Sequence, residues 1–275
     1  MNRTYTESCC QYGPTNHPGL LSVQADPKTL KGKGYLTGIS YMSPYKGIFG
    51  TGVNLCVFAV LACIKACISH TGRGRADTLT SPIHRARETR RNLFLNDREL
   101  YFTLLRLEVG SLVKKATRLG LKPCIRMNGT TDIIWETYPR FVAIQADFPS
   151  VVFYDYTKIP TGSRAKFKGH LTFSWTGTND KDCAQAIANG HNIAIPYHGK
   201  LPAYDTIGGH RLKVIDGDLS DLRFLDRGPE AKPVVVGLRI KAISTKRKEQ
   251  DNTPIFGKHG ANMATATGKI RLAMA

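Results

Sequence analysis

Short apolar runs alternate with longer segments of helical periodicity over most of the chain. The runs are rich in β-branched and aromatic residues, and strand–helix alternation is typical of a parallel sheet covered by helices. The first predicted strand is Tyr35–Met42. The later ones are Pro123–Asn128, Val151–Thr157, His170–Trp175, Asn192–Tyr197, Leu212–Ile215, Leu222–Leu225 and Pro233–Ile240. The pattern predicts an α/β fold whose mainly parallel sheet is closed or partly closed into a TIM-like barrel.

Four helices are predicted between these strands. Pro82 favours the first turn of a helix that continues through Leu95. Asn96 and Glu99 form a capping box for a second helix, which ends near Gly120. Two further helices are predicted at about Ile133–Asp147 and Asp180–Asn189.

Changes in composition divide the chain into three parts. Prolines and glycines punctuate residues 1–34, which predicts an irregular N-terminal lead-in. Residues 35–243 contain the predicted strands and form the barrel-like domain. Residues 244–275 are basic and rich in Gly, Ala and Thr, which predicts a C-terminal tail that is mobile or ordered by a partner.

The charge of the chain indicates a polyanionic partner. The sequence of 275 residues carries a formal net charge of +18, and a basic protein gains affinity for nucleic acid by releasing counterions from phosphates. A run of arginines can equally be a solvated helix face. The candidate nucleic-acid-binding residues are Arg73, Arg75, Arg85, Arg87, Arg90 and Arg91.

The cysteine content and the apolar runs predict a cytoplasmic location. The seven cysteines are an odd number, and neither a signal peptide nor a run suited to a membrane span is recognised. We therefore expect no membrane partner. The sequence leaves the oligomeric state open.

Three cysteines, Cys56, Cys63 and Cys67, lie within twelve residues. In one continuous helix they would form a narrow stripe along roughly 16 Å of axis, where thiols act as small core residues. Alternatively, Cys56 lies in a loop that folds back toward Cys63 and Cys67. Three thiolates would then hold an iron–sulfur cluster or, with His70, a zinc ion. Both interpretations stay open at the level of spacing.

Several predicted strands end in polar residues. In parallel α/β folds such ends converge on one edge, where binding sites form. Asp155 is expected on one face of its strand with Phe153 and Thr157, and Arg126 is the nearest basic partner for its charge. These strand ends predict a shared cavity mouth, although no catalytic residue can be named.

The order of these motifs resembles the uncharacterised phage "gene product 88" family over roughly residues 40–242. The matching motifs are Asn54-x-Cys56, Cys63-x3-Cys67, Gly72-Arg-Gly74, Arg126-Met-Asn128-Gly-Thr-x-Asp132, Phe153-Tyr-Asp155-Tyr-Thr-Lys158, Phe173-Ser174 and Asp216-Gly-Asp218. A phage origin would make the location the cytoplasm of the bacterial host.

That family is in turn similar to radical S-adenosylmethionine enzymes, which hold a [4Fe–4S] cluster through three cysteines after the first barrel strand. The resemblance implies that Cys56, Cys63 and Cys67 are cluster ligands. It also implies that the loop from Asn128 lies near the methionine end of S-adenosylmethionine. The expected cofactor-binding residues are Asn128, Gly129, Thr130, Thr131, Asp155 and Ser174.

The cysteine spacing departs from those enzymes, since Cys-x6-Cys-x3-Cys replaces the usual Cys-x3-Cys-x2-Cys. Two functional hypotheses follow. The first is a phage iron–sulfur protein with a radical-SAM-like barrel, with or without cofactor-dependent catalysis on an unknown substrate. The alternative is a basic nucleic-acid-binding viral protein, zinc-stabilised or metal-free, without catalysis.

Overall fold

The computed structural model describes residues 19–24, 29, 31, 33–45, 52–65, 67, 81–227, 232–240 and 257–259. Arg73, Arg75 and His70 lie outside these residues, as do most of the predicted lead-in and tail.

In the described part of the chain, ten strands form one sheet. Nine of them follow a continuous path in the order β1-β2-β3-β4-β5-β6-β9-β8-β7, and β10 pairs with β6 beside that path. The strands are β1 Leu21–Val23, β2 Tyr35–Ser40, β3 Lys122–Arg126, β4 Val152–Thr157, β5 His170–Ser174, β6 Asn192–His198, β7 Tyr204–Ile207, β8 His210–Asp216, β9 Val235–Arg239 and β10 Lys258–His259.

Parallel pairing dominates the sheet. The strands from β2 through β6, and then β9 and β8, pair in parallel with their neighbours. Antiparallel pairing occurs at the two edges, between β1 and β2 and between β7 and β8. The predicted mainly parallel α/β fold is therefore confirmed. Closure into a TIM-like barrel is not confirmed, because no hydrogen-bonded ladder joins the two edges among the described strands.

Five α-helices accompany the sheet in the described part of the chain, and none of them is long and apolar enough to cross a membrane. They are α1 Leu61–Lys65, α2 Pro82–Asn96, α3 Arg98–Arg118, α4 Pro139–Asp147 and α5 Asp180–Ala188. Short 3₁₀ helices occur at Trp135–Thr137, Thr161–Arg164 and Arg223–Leu225.

The two faces of the sheet are covered differently. Helices α2 to α5 pack on one face, which we call the helix side, against alternate strand residues such as Ile125, Phe153 and Phe173. On the opposite face, Leu222 and Phe224 pack against Cys124 and Tyr154. Since residues two apart share a face, each strand end directs successive side chains to opposite sides.

Three predicted elements differ in the structure. Leu222–Leu225 was expected as a strand, but it contains the 3₁₀ helix Arg223–Leu225, whose apolar side chains cover the sheet instead of extending it. The predicted helix Ile133–Asp147 is divided, because the extended backbone of Tyr138 before Pro139 interrupts it. The cap of α3 is Asp97 and not Asn96, since the Asp97 side chain accepts the backbone N–H of Leu100.

Candidate functional site

The segment that follows β2 carries the three cysteines. A hydrogen bond from the backbone N–H of Leu55 to the carbonyl of Tyr45, at 2.9 Å, joins the two ends of the first part of this segment. The Asn54 side chain then accepts the backbone N–H of Cys56 at 2.8 Å, which forms a turn before α1 begins. Cys56 thus lies in a loop and Cys63 lies in α1. The interpretation of all three cysteines as one stripe on a continuous helix is wrong.

The thiols of Cys56, Cys63 and Cys67 lie near the ammonium group of Lys158, which directly follows β4. Cys56 is buried, whereas Cys63 and Cys67 are half-buried. Burial raises the pKa of Cys56 to about 12, and the Lys158 charge opposes that rise. Burial also raises the pKa of Cys63, and the Lys158 charge opposes that rise. Burial lowers the pKa of Lys158, but the negative charges of Asp132 and of the three cysteines in their thiolate form outweigh it, so the net shift is upward.

Asp132 connects this thiol cluster to two strand ends. Its backbone N–H donates to the carbonyl of Leu55 at 2.9 Å, next to Cys56. Its carboxylate accepts the Thr157 hydroxyl at 2.8 Å and the backbone N–H of Lys158 at 2.7 Å. Burial raises the pKa of Asp132, and Lys158 opposes the rise. The loop after β3 therefore fixes the cysteine loop against the end of β4.

The donor groups of this cluster are of the type that binds soft metals, since thiolates hold zinc and iron–sulfur clusters. Their present separation is different from that of a metal site. Within the described residues, no three His, Cys, Asp or Glu side chains are grouped so that they could hold one metal ion. The chemistry of the donors therefore fits a metal centre, and the thiols would have to move closer together to form one.

The loop after β3 is at the expected edge, but its polar atoms are bonded within the protein. The Asn128 side-chain oxygen accepts the Thr131 hydroxyl, the Ile133 backbone N–H and the Trp135 indole N–H at 2.9 to 3.0 Å. Its amide nitrogen donates to the Ile133 carbonyl and to Asp155, each at 3.0 Å. Asn128 therefore has no spare hydrogen-bonding capacity for a cofactor in this arrangement.

Its neighbours are equally engaged. The Thr130 hydroxyl donates to the Met42 carbonyl at 2.5 Å, and Gly129 donates its backbone N–H to the Ser40 carbonyl at 2.9 Å. These bonds join the loop after β3 to the end of β2. Binding of S-adenosylmethionine, the cofactor that the resemblance implies, by these residues stays a prediction.

Asp155 and Ser174 lie on opposite faces of the sheet. Asp155 shares the helix side with Phe153 and Thr157, as predicted, whereas Ser174 follows Phe173 and lies on the opposite face. The predicted cavity mouth lined by both residues is thus divided between the two faces of the sheet.

The predicted charge partner of Asp155 is also wrong. Arg126 donates to Asp221 at 2.8 Å on the opposite face, where Tyr154 donates to the same carboxylate at 3.0 Å. Asp155 instead accepts the backbone N–H of Asn128 at 2.8 Å, and Arg164 lies 3.8 Å from it. Burial raises the pKa of Asp155 to about 7, and Arg164 opposes the rise.

Comparison with known families connects these observations. A family model described as gene product 88 matches residues 20–253, from the residue before β1 to beyond β9. The chain belongs to the gene product 88 family. Neither the curated proteins nor the solved structures yield a match. The phage family indicated by the motifs is therefore confirmed, while similarity to radical S-adenosylmethionine enzymes stays a prediction.

Three charged residues of this gene product 88 chain were not assigned a role from the sequence. Arg164, which is 1% exposed, donates from Nε to Glu136 at 2.6 Å and lies within 4.0 Å of Asp132. Asp132 and Lys158 occur in the motifs that indicated the gene product 88 family, and their positions in the polar segments that follow β3 and β4 could have identified them. Arg164 lies in a 3₁₀ helix after β4, where no sequence pattern distinguishes it.

The predicted nucleic-acid residues of the gene product 88 chain have different environments. Arg85 is exposed, and the guanidinium of Arg87 lies 5.5 Å from the centre of the Tyr41 ring. Arg90 and Arg91 are buried and donate to backbone carbonyls. Among the candidates that the structure describes, Arg85 is therefore the one whose side chain a phosphate can reach freely.

Proposed function

We propose that this gene product 88 chain is an iron–sulfur protein of the bacterial host cytoplasm, with Cys56, Cys63 and Cys67 as the cluster ligands. One observation carries the proposal. Three thiols, borne by the segment that leaves the first parallel strand, lie near one ammonium group, that of Lys158, at the carboxyl edge of the sheet. This edge is where parallel α/β folds form their sites.

The donor set supports a cluster with an open position, because three protein thiolates leave one coordination site for another ligand. A bound cluster would supply electrons to a molecule held at that site. S-Adenosylmethionine is the co-substrate that we propose, and zinc is the alternative metal.

The residues around the thiols have definable tasks. Cys56 is protonated when buried without metal, so metal binding must release its proton. The Lys158 charge would offset the negative charge of three thiolates, and Asp132 holds the Lys158 backbone in place. Loading requires the thiols to approach one another, which a short helix and a loop permit more easily than a strand.

The test is metal content after purification without oxygen and reconstitution with iron and sulfide. Wild-type protein should contain iron and sulfide and absorb broadly in the visible range. Cys56→Ser, Cys63→Ser and Cys67→Ser should each lose iron, whereas Cys183→Ser, at a buried thiol on α5, should retain it. Stoichiometric zinc without iron would show that the cysteines bind zinc instead of an iron–sulfur cluster. Wild-type protein without any metal would overturn the proposal.

S-Adenosylmethionine binding is tested separately by calorimetry. Iron-loaded protein should bind the molecule, and metal-free protein should bind it more weakly, because the open cluster position contributes a ligand contact. Equal affinity in the two forms would show that the cluster takes no part in binding S-adenosylmethionine.

A second function, nucleic-acid binding, is favoured by the net charge of +18 and by the exposed Arg85. It is compatible with the first, since a basic iron–sulfur protein can act on nucleic acid. Affinity for DNA or RNA should fall steeply with salt concentration. Absence of binding at low salt would remove this function.

A further inference from the structure

Helix α2 carries two adjacent buried arginines. Arg90 is 9% exposed and Arg91 is 1% exposed. Burying a guanidinium is costly unless its N–H groups find acceptors. The contacts of these two side chains therefore indicate which parts of the chain they hold.

Arg91 holds both ends of one segment. Its Nη1 donates to the carbonyls of Ser43 at 3.0 Å and Tyr45 at 3.3 Å, and its Nη2 donates to the carbonyl of Val53. The chain thus leaves β2 and returns toward Cys56 at the same guanidinium. The hydrogen bond between Leu55 and Tyr45 closes the segment immediately beyond it.

A second attachment lies at Leu55, the residue before Cys56. The carbonyl of Leu55 accepts the backbone N–H of Asp132, whose carboxylate in turn accepts the backbone N–H of Lys158. Cys56 therefore directly follows two attachments, one from Val53 to the Arg91 guanidinium and one from Leu55 to the loop after β3. Its position relative to Lys158 is fixed by these two attachments together.

We propose that Arg91 is a positioning residue for Cys56. The role depends on the geometry of arginine, whose planar fork reaches carbonyls on several segments at once, whereas lysine has a compact ammonium. Glu88, 3.6 Å from Arg91 Nε, balances its charge within the same helix. Arg91 would thereby hold one ligand of the proposed metal centre in place, and this role rests on that proposed function.

Arg90 provides a matched control. It lies on the same helix and is also buried, but it donates to the carbonyls of Gly19 at 2.7 Å and Tyr41 at 3.2 Å. A substitution there removes a comparable buried contact without touching the segment between Ser43 and Val53.

The experiment measures alkylation of each cysteine by iodoacetamide in metal-free, folded protein, with peptide mass spectrometry as the readout. We expect Arg91→Lys to accelerate labelling of Cys56 about tenfold relative to Cys183 in the same molecule, because hydrogen bonds to a charged group limit local opening by this order. Arg90→Lys should leave that ratio unchanged, even if both variants lose the same global stability.

An unchanged Cys56 ratio in Arg91→Lys, or an equal rise in Arg90→Lys, would overturn the inference. If Arg91→Lys fails to fold, amide hydrogen exchange of Leu55 in wild-type protein decides the matter. Exchange as slow as that of the β3 amides supports the attachment, and exchange as fast as that of exposed loops contradicts it. Because the protein is metal-free throughout, these results stand whether or not iron is found in the reconstitution experiment.

Discussion

Asp155 shows how one buried carboxyl can connect pH to stability. Its pKa is raised to about 7 by burial, against an ordinary value of about 3.9 in an unfolded chain. Between these values the native state binds the additional proton, so stability should fall as pH rises through this range. For Asp155 alone, the free energy of unfolding should fall by roughly 1 kcal/mol per pH unit.

Asp155→Asn should remove that slope and add a constant loss, because the two N–H groups of Asn128 bond to separate carboxylate oxygens, and the amide replaces one of these oxygens with an NH₂ group that cannot accept. Urea unfolding of both proteins at several pH values measures the difference. A wild-type stability that instead rises with pH relative to Asp155→Asn would show that Asn128 and Arg164 hold the carboxylate ionised.

Gly129 is a site where even one methyl group does not fit. A Cβ there would lie 2.4 Å from the Ser40 carbonyl oxygen and 2.7 Å from the side chains of Ile39 and Tyr41. Gly129→Ala should therefore cost about 2 kcal/mol of unfolding free energy, as overpacking against fixed backbone does. Gly162→Ala is the control, since nothing lies within 4 Å of the added atom. Equal urea midpoints for the two variants would show that β2 moves aside.

At the scale of elements, the segment Leu222–Leu225 packs on the sheet through Leu222 and the aromatic ring of Phe224. Phe224 lies 5.0 Å from the Tyr35 ring and 5.4 Å from the Tyr154 ring, and it is 8% exposed. Phe224→Ala should reduce the free energy of unfolding by about 3 kcal/mol. Leu225→Ala, at a side chain 54% exposed, should change it by less than about 0.5 kcal/mol. A loss at Phe224 no larger than that at Leu225 would mean that the segment is not anchored there.

Element types were predictable where local preference and tertiary packing agree. On the continuous path, strands β2 to β6 and β9 combine apolar runs with burial on both faces, and these six strands and the more exposed β8 were predicted with nearby boundaries. Leu222–Leu225 has the same composition, but only Leu222 and Phe224 face the sheet and no strand pairs with it. Strand β7 was missed because Tyr204–Ile207 contains polar residues and forms a strand through its pairing with β8.

At the scale of the whole molecule, sequence order predicted the edge at which the site forms but not which face each residue occupies. The cysteine loop, the Asn128 loop and Lys158 all follow parallel strands and lie at one edge. Asp155 and Ser174 also lie at strand ends, yet alternation along their strands sends them to opposite faces. Buried pairs between distant residues, such as Arg126 with Asp221, depend on how the chain between β8 and β9 crosses the sheet, which no local pattern specifies.

The distribution of positive charge over the molecule leads to the final prediction. A basic protein that binds nucleic acid loses affinity with salt in proportion to the number of phosphates it neutralises. Arg85 is exposed on α2, whereas the guanidinium of Arg90, on the same helix, is bonded to backbone carbonyls. Arg85→Ala should therefore reduce the slope of log affinity against log salt by about 1, and Arg90→Lys should leave it unchanged.

Fluorescence anisotropy with a labelled DNA duplex over a salt series measures both slopes. Equal slopes for wild-type and Arg85→Ala protein would remove this face of α2 from the nucleic-acid interface, because a contact that releases no counterion is not made to a phosphate.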